Sequence, residues 1–96
     1  MVKNPAEAEK ISKKLVSEKL AACVSSVPGA KSVYRWAGKI QRTNEVMLLA
    51  KTSKKKLGPL INRIRQLHSY DVPEILALKV ERGLPEYLRW VEESLR

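Results

Sequence analysis

The sequence predicts an α+β fold, and three features predict it. Two stretches, Ala6–Leu20 and Leu57–Leu67, carry apolar residues at helical spacing, and a third follows near the C-terminus. Between them lie segments that alternate apolar and polar residues or run apolar over the length of a strand. Pro and Gly are sparse and fall between these segments. No linker, repeat or low-complexity tract divides the chain, so residues 1–96 read as one domain.

Asn4-Pro5-Ala6-Glu7 opens the first helix. Asn4 is placed to accept an orphan N–H, Pro5 suits the first helical position, and Glu7 can bond back three residues on. The helix should run to about Leu20, with Ala8, Ile11, Leu15, Val16 and Leu20 inward. Ala21 to Val27 reads as a strand ending at a Pro28-Gly29 turn. Ser32 to Gly38 is the next, with Tyr34 and Trp36 on one face. Gln41 to Asn44 reads as a turn into a strand over Glu45–Thr52.

The second helix carries Leu57, Leu60, Ile61, Ile64 and Leu67 on one narrow stripe, with Ser53 as cap. Pro59 marks a tight or 3₁₀ first turn. Glu74 to Val80 reads as a strand. Gly83 and Pro85 open a last helix with Leu84, Leu88, Val91 and Leu95 inward.

The net charge is +9. Such an excess attracts anionic partners or simply solvates a lysine-rich surface, and charge alone names no partner. Lys54-Lys55-Lys56 at a helix start opposes the helix dipole, as a solvated turn or an anion-docking point would. The sole cysteine, Cys23, forms no internal disulfide, which fits a reducing compartment and a cytoplasmic chain. No stretch is long and apolar enough to span a membrane. With one cysteine and one histidine, a closed tetrahedral site from a single chain is excluded.

Two features point beyond a monomer. Val46-Met47-Leu48-Leu49-Ala50 and Ile75-Leu76-Ala77-Leu78 are apolar on both faces, so helices on one side leave the other in need of cover. Trp90 lies off the inward stripe of its helix, beside Tyr87, and the pair reads as an interface anchor.

Five motifs now stand in order: Ala21-Ala22-Cys23-Val24; Tyr34-Arg35-Trp36-Ala37-Gly38-Lys39-Ile40; Glu45-Val46 with Lys51-Thr52; His68-Ser69-Tyr70-Asp71-Val72-Pro73-Glu74; and Tyr87-Leu88-Arg89-Trp90. Over essentially the whole chain they resemble the CutA family of divalent-cation-tolerance proteins. The resemblance implies a ferredoxin-like split βαβ fold, similar to PII signalling proteins, with an extra C-terminal helix. It implies a homotrimer and a part in tolerance of copper and other divalent cations. Animal members are linked to membrane anchoring of acetylcholinesterase, which implies protein partners.

Two departures stand out. The family opens on a central strand, and only Met1-Val2-Lys3 corresponds to it here. That points to a shortened gene start or a differently closed sheet, with unpaired backbone costing about 1–3 kcal/mol per buried group. Ser69 stands where the family's motif has proline, which should loosen the backbone before Tyr70.

As metal ligands the candidates are His68, Cys23 and Glu74, with Asp71 as a further oxygen donor and copper as the metal. A lone histidine in line with an apolar stripe also reads as a hydrogen-bonded boundary residue, and Cys23 as a small buried hydrophobe. In some bacterial members, a cysteine near the end of the first strand and a histidine before the motif histidine bear on copper. Val2 and Leu67 stand at those places, so this chain carries a thinned set. Tyr34, Trp36, Lys39, Lys51 and Tyr70 form the expected inter-subunit pocket. Lys51, in an apolar strand, needs a carboxylate such as Glu45 or Glu74, or an anionic ligand.

No nucleophile–base context or phosphate-binding glycine loop is present, so no enzyme is expected. A trimeric cation-tolerance protein leads. A PII-like sensor of small anions and a trimeric scaffold for protein partners are the alternatives. A charge-driven nucleic-acid binder ranks last, lacking an exposed stacking motif.

Overall fold

The structure, a computed structural model, describes residues 1–96. Its elements are α1 (Pro5–Ser17), β1 (Cys23–Trp36), β2 (Lys39–Lys51), a 3₁₀ turn (Lys54–Lys56), α2 (Leu57–Leu67) and α3 (Pro85–Ser94). This is an α+β unit in the ferredoxin-like order, with its opening strand present as one antiparallel bridge between Val2 and Val46.

The N-cap of α1 forms as expected: Asn4 Oδ1 accepts from the Glu7 N–H at 2.8 Å. Ala8, Ile11 and Leu15 are its buried side. The helix stops at Ser17, short of Leu20, because Lys19 turns left-handed at φ 59. Val16 is consequently exposed, while Leu20 still packs on the core.

The hairpin differs from expectation at both turns. Pro28-Gly29 is an irregularity within one long strand, after which pairing resumes at Ala30↔Glu45. Proline cannot donate to a ladder, and Gly29 at φ 81 takes the local twist, so the chain bulges instead of reversing. Gln41 to Asn44 lie inside β2. The reversal is at Ala37 and Gly38, with φ 52 and 75, between the pair Trp36↔Lys39. Positive φ at both central residues is the hairpin turn whose twist matches that of the strands.

Helices α1 and α2 cover one face of the hairpin. Val2, Ala8, Ile11, Leu15, Ala21, Val46 and Leu60 form the core, ringed by Leu20, Val24, Leu48, Leu57, Ile64 and Leu67. A smaller cluster of Ala22, Val91 and Leu95 seats α3. Leu84 and Leu88, expected inward, are exposed, since the residues that α3 buries are Val91 and Leu95. The 3₁₀ turn precedes α2, as Pro59 foretold, although the Ser53 side chain makes no capping bond.

The expected strand Glu74–Val80 joins no ladder, and the sheet has two strands only. In a ferredoxin-like order this strand pairs with the opening strand, not with the hairpin. With the opening strand reduced to the Val2 bridge, no ladder exists for it within the chain. Leu76, Leu78 and Val80 are 79%, 88% and 69% exposed. Residues alternate along β2, so Met47 and Leu49 sit on the face away from α1 and α2, opposite Val27, and all three are exposed.

Candidate functional site

The densest polar arrangement gathers at the end of α2, where the turn His68–Asp71 meets α1, β2 and the chain start. The His68 side chain is 2% exposed. Its Nε2 lies 2.7 Å from the Met1 carbonyl oxygen, and its Nδ1 accepts from the Tyr70 N–H at 3.0 Å. The Glu7 carboxylate, 9% exposed, lies 3.7 Å from Nδ1. Glu7 does not close a capping box. It reaches across to Ser69, whose N–H and hydroxyl each donate to one carboxylate oxygen at 2.9 Å.

This overturns the expected loosening at Ser69. Proline has no N–H, whereas Ser69 offers two donors and ties the turn to α1. Tyr70 packs its ring against His68, centroids 4.8 Å apart and tilted by 48°, and donates its hydroxyl to Glu45 Oε2 at 3.3 Å. An open polar cleft of about 530 Å³ lies over Arg65, His68, Tyr70 and Asp71.

Burial pushes the Glu7 carboxyl up, but the two Ser69 bonds, with His68 and Lys3 nearby, outweigh it and hold the group below the usual range. A depressed folded value means that this clamp stabilises fully above the ordinary carboxyl value of about 4.5 and loses its effect as pH falls through the lower folded value. Denaturation midpoints measured between neutral and strongly acid pH should therefore drop on that acid limb. Glu7→Gln should be less stable at neutral pH and show a smaller acid drop; an unchanged profile would remove Glu7 from the clamp. Burial raises the Tyr70 phenol, and the Glu45 charge adds to it.

The arrangement is not a hydrolytic relay. Ser69 bonds the carboxylate directly, while His68 faces Met1 and Tyr70, so no imidazole stands ready to take the hydroxyl proton.

The other expected residues are placed apart. Cys23 opens β1 with Sγ 3.6 Å from the Tyr87 hydroxyl, and that bond with burial raises the Tyr87 phenol. Tyr87 and Trp90 stack at 5.6 Å, both half-exposed. Glu74 is exposed on the unpaired segment. No three His, Cys, Asp or Glu side chains of one chain converge as a metal site. The donor set therefore does not fit a metal within one chain: the lone pair of His68 Nδ1 already serves an amide, and Cys23 and Glu74 belong to other places.

Lys51 has no carboxylate partner. Its Nζ donates to Ser25 Oγ at 2.6 Å and to the Leu49 carbonyl at 3.1 Å, while Glu45, the expected counter-ion, serves Tyr70. Trp36 and Lys39 flank the hairpin turn, and Tyr34 lies near enough to Tyr70 to add to the rise of that phenol. Lys51 is at the far end of β2, about 40 Å from Lys39 along a thirteen-residue strand. One chain thus does not assemble the expected pocket. Sequence reading missed Glu7 and the Met1 carbonyl. The only signal for the former was a serine with a donor where proline has none.

Residues 1–94 match the family described as CutA1 divalent ion tolerance protein. The divalent-cation tolerance protein CutA of Thermus thermophilus is 47% identical over 91% of this chain and 84% of its own length. The chloroplastic protein CutA of Arabidopsis thaliana is 44% identical over 99% of this chain, which spans about half (52%) of that relative. The crystal structure of CutA from Xylella fastidiosa superposes with a TM-score of 0.97 at 46% identity, covering 99% of this chain and 91% of that one. The chain belongs to the CutA1 divalent ion tolerance family.

Proposed function

We propose that this chain works as a closed homotrimer that binds divalent cations, copper foremost, between its subunits and catalyses no reaction. One observation carries the assembly. A folded monomer of 10.9 kDa exposes about 5,600 Å². This chain exposes 7354 Å², an excess of about 1,800 Å². A standard interface takes about 800 Å² from each partner, so the excess corresponds to two interfaces per chain, as a ring requires. The radius of gyration, 14.4 Å, likewise exceeds the roughly 12.5 Å of a chain this long.

The surfaces to be covered are the segment 74–80, the open hairpin face and the Tyr87–Trp90 pair. Two-stranded hairpins are marginal in water, and a neighbour's sheet would supply what the projecting tip lacks. Packing of this kind also brings Tyr34, Trp36 and Lys39 of one copy toward Lys51 or Tyr70 of another. In this reading the cation sits between copies, with the Cys23 thiolate as soft ligand for copper and Glu74 as an oxygen donor. The single thiol supports a cytoplasmic protein, although the Arabidopsis relative is named chloroplastic. No helix is long and apolar enough to cross a membrane.

Light scattering after gel filtration, followed by copper titration, tests the reading. Three copies of 10.9 kDa, about 33 kDa, are expected, with copper bound at least tenfold more weakly by Cys23→Ser at unchanged mass. A monomer overturns the trimer, and unaltered affinity removes Cys23 from the site. The Lys51 ammonium, lacking a carboxylate, supports a second reading as a PII-like sensor of small anions. A thermal-shift screen of phosphate-bearing metabolites that finds no rise would rule it out.

A further inference from the structure

We propose that His68 is a positioning residue that clasps the Met1–Val2 segment against the sheet, and that its ring does not take the metal. The ring is almost fully buried, so both nitrogens must find partners inside the protein. A backbone N–H only donates, so the nitrogen facing Tyr70, Nδ1, carries the lone pair. In the neutral ring Nε2 then bears the proton and donates it to the Met1 carbonyl at 2.7 Å.

A bond from one ring nitrogen to a carbonyl is also what a metal-bound histidine makes. The other nitrogen decides the matter. A cation at Nδ1 would take the lone pair from the part-buried Tyr70 amide and leave that donor without its partner.

The bonds close a circuit. Val2 exchanges both backbone bonds with Val46, at 2.9 and 2.8 Å. The Met1–Val2 peptide is thus held from both sides, by His68 at its oxygen and by Val46 at its nitrogen. From Val46 the chain steps to Glu45, which accepts from the Tyr70 hydroxyl, and the Tyr70 amide returns to His68. Cutting the circuit at His68 frees the chain start from β2. It also releases the turn from which the exposed segment 74–80 departs. The clasp lies wholly within one chain, so failure of the trimer test leaves it untouched.

The test combines hydrogen exchange with zinc titration of the whole chain. His68→Asn keeps an acceptor two residues before the Tyr70 N–H, as in an Asx-turn, but is too short to reach Met1. The Val2 and Val46 amides should then exchange at least tenfold faster, while the Tyr70 amide keeps its protection and zinc affinity stays within twofold. In the parent protein, ¹⁵N spectra of the ring should show Nδ1 bare and Nε2 protonated, unchanged by one equivalent of zinc. That measurement holds even if the variant does not fold. A zinc-induced shift at Nδ1, a tenfold loss of zinc affinity in the variant, or unchanged exchange at Val2 and Val46 would overturn the proposal.

Discussion

Leu78→Lys should leave the chain folded and abolish the proposed trimer. Leu78 is 88% exposed in the single chain, so within one copy the substitution touches nothing. Surface changes of that kind usually stay within about 0.5 kcal/mol. Against a neighbouring subunit the effect differs in kind. A buried leucine contributes about 1.5–3 kcal/mol through removal from water. Lysine in its place forfeits this and leaves an ammonium without a partner. In a ring the loss recurs in every copy. Light scattering should report a single chain of 10.9 kDa at concentrations where the parent assembles, with a helical circular-dichroism signal retained. A variant that keeps the parental mass would show that segment 74–80 faces solvent, and the proposed trimer would need another contact.

Ile11→Ala should be the costliest single truncation inside the chain. Ile11 is 0% exposed and points from α1 toward the hairpin and α2, in the core cluster with Leu15, Val46 and Leu60. Removing such a side chain costs about 2–5 kcal/mol, the transfer term plus the cavity it leaves. Only ten of the ninety-six residues are buried, so few neighbours can collapse into the gap. The total stability of a domain is about 5–15 kcal/mol. Denaturant titration should therefore show a large fall in the midpoint, against little change for Val33→Ala on the exposed hairpin. Equal effects at the two positions would mean that the core is not where α1 crosses the sheet.

The helices were legible because their information is local. A stripe at Ala8, Ile11 and Leu15 or at Leu57, Leu60 and Ile64 states both the element and its inward face. The hairpin was misread because turn residues say where a chain can bend, not where it does. Pro28-Gly29 and Gln41–Asn44 carry turn composition, yet the strand only bulges at the first and pairs through the second. Ala37-Gly38 looked like the end of a strand, and left-handed backbone at alanine is not something composition announces. Glu74–Val80 has the composition of a strand, but a strand exists only where a neighbour offers a ladder.

The candidate site divides in the same way. Its residue types were visible, and so was the oddity of a serine after His68. Which groups they meet was not: His68 reaches Met1 across sixty-seven residues, and Ser69 reaches Glu7 across sixty-two. By itself the sequence determined the α+β class, the inward faces of α1 and α2 and the excess of apolar strand surface, because side-chain periodicity follows from backbone geometry. Only the tertiary structure decided that Glu7 clamps Ser69, that Glu45 serves Tyr70 and leaves Lys51 without a counter-charge, and that both nitrogens of His68 are engaged. Those outcomes depend on which distant donors and acceptors the packing sets within about 3 Å of one another, and that distance is a property of the fold.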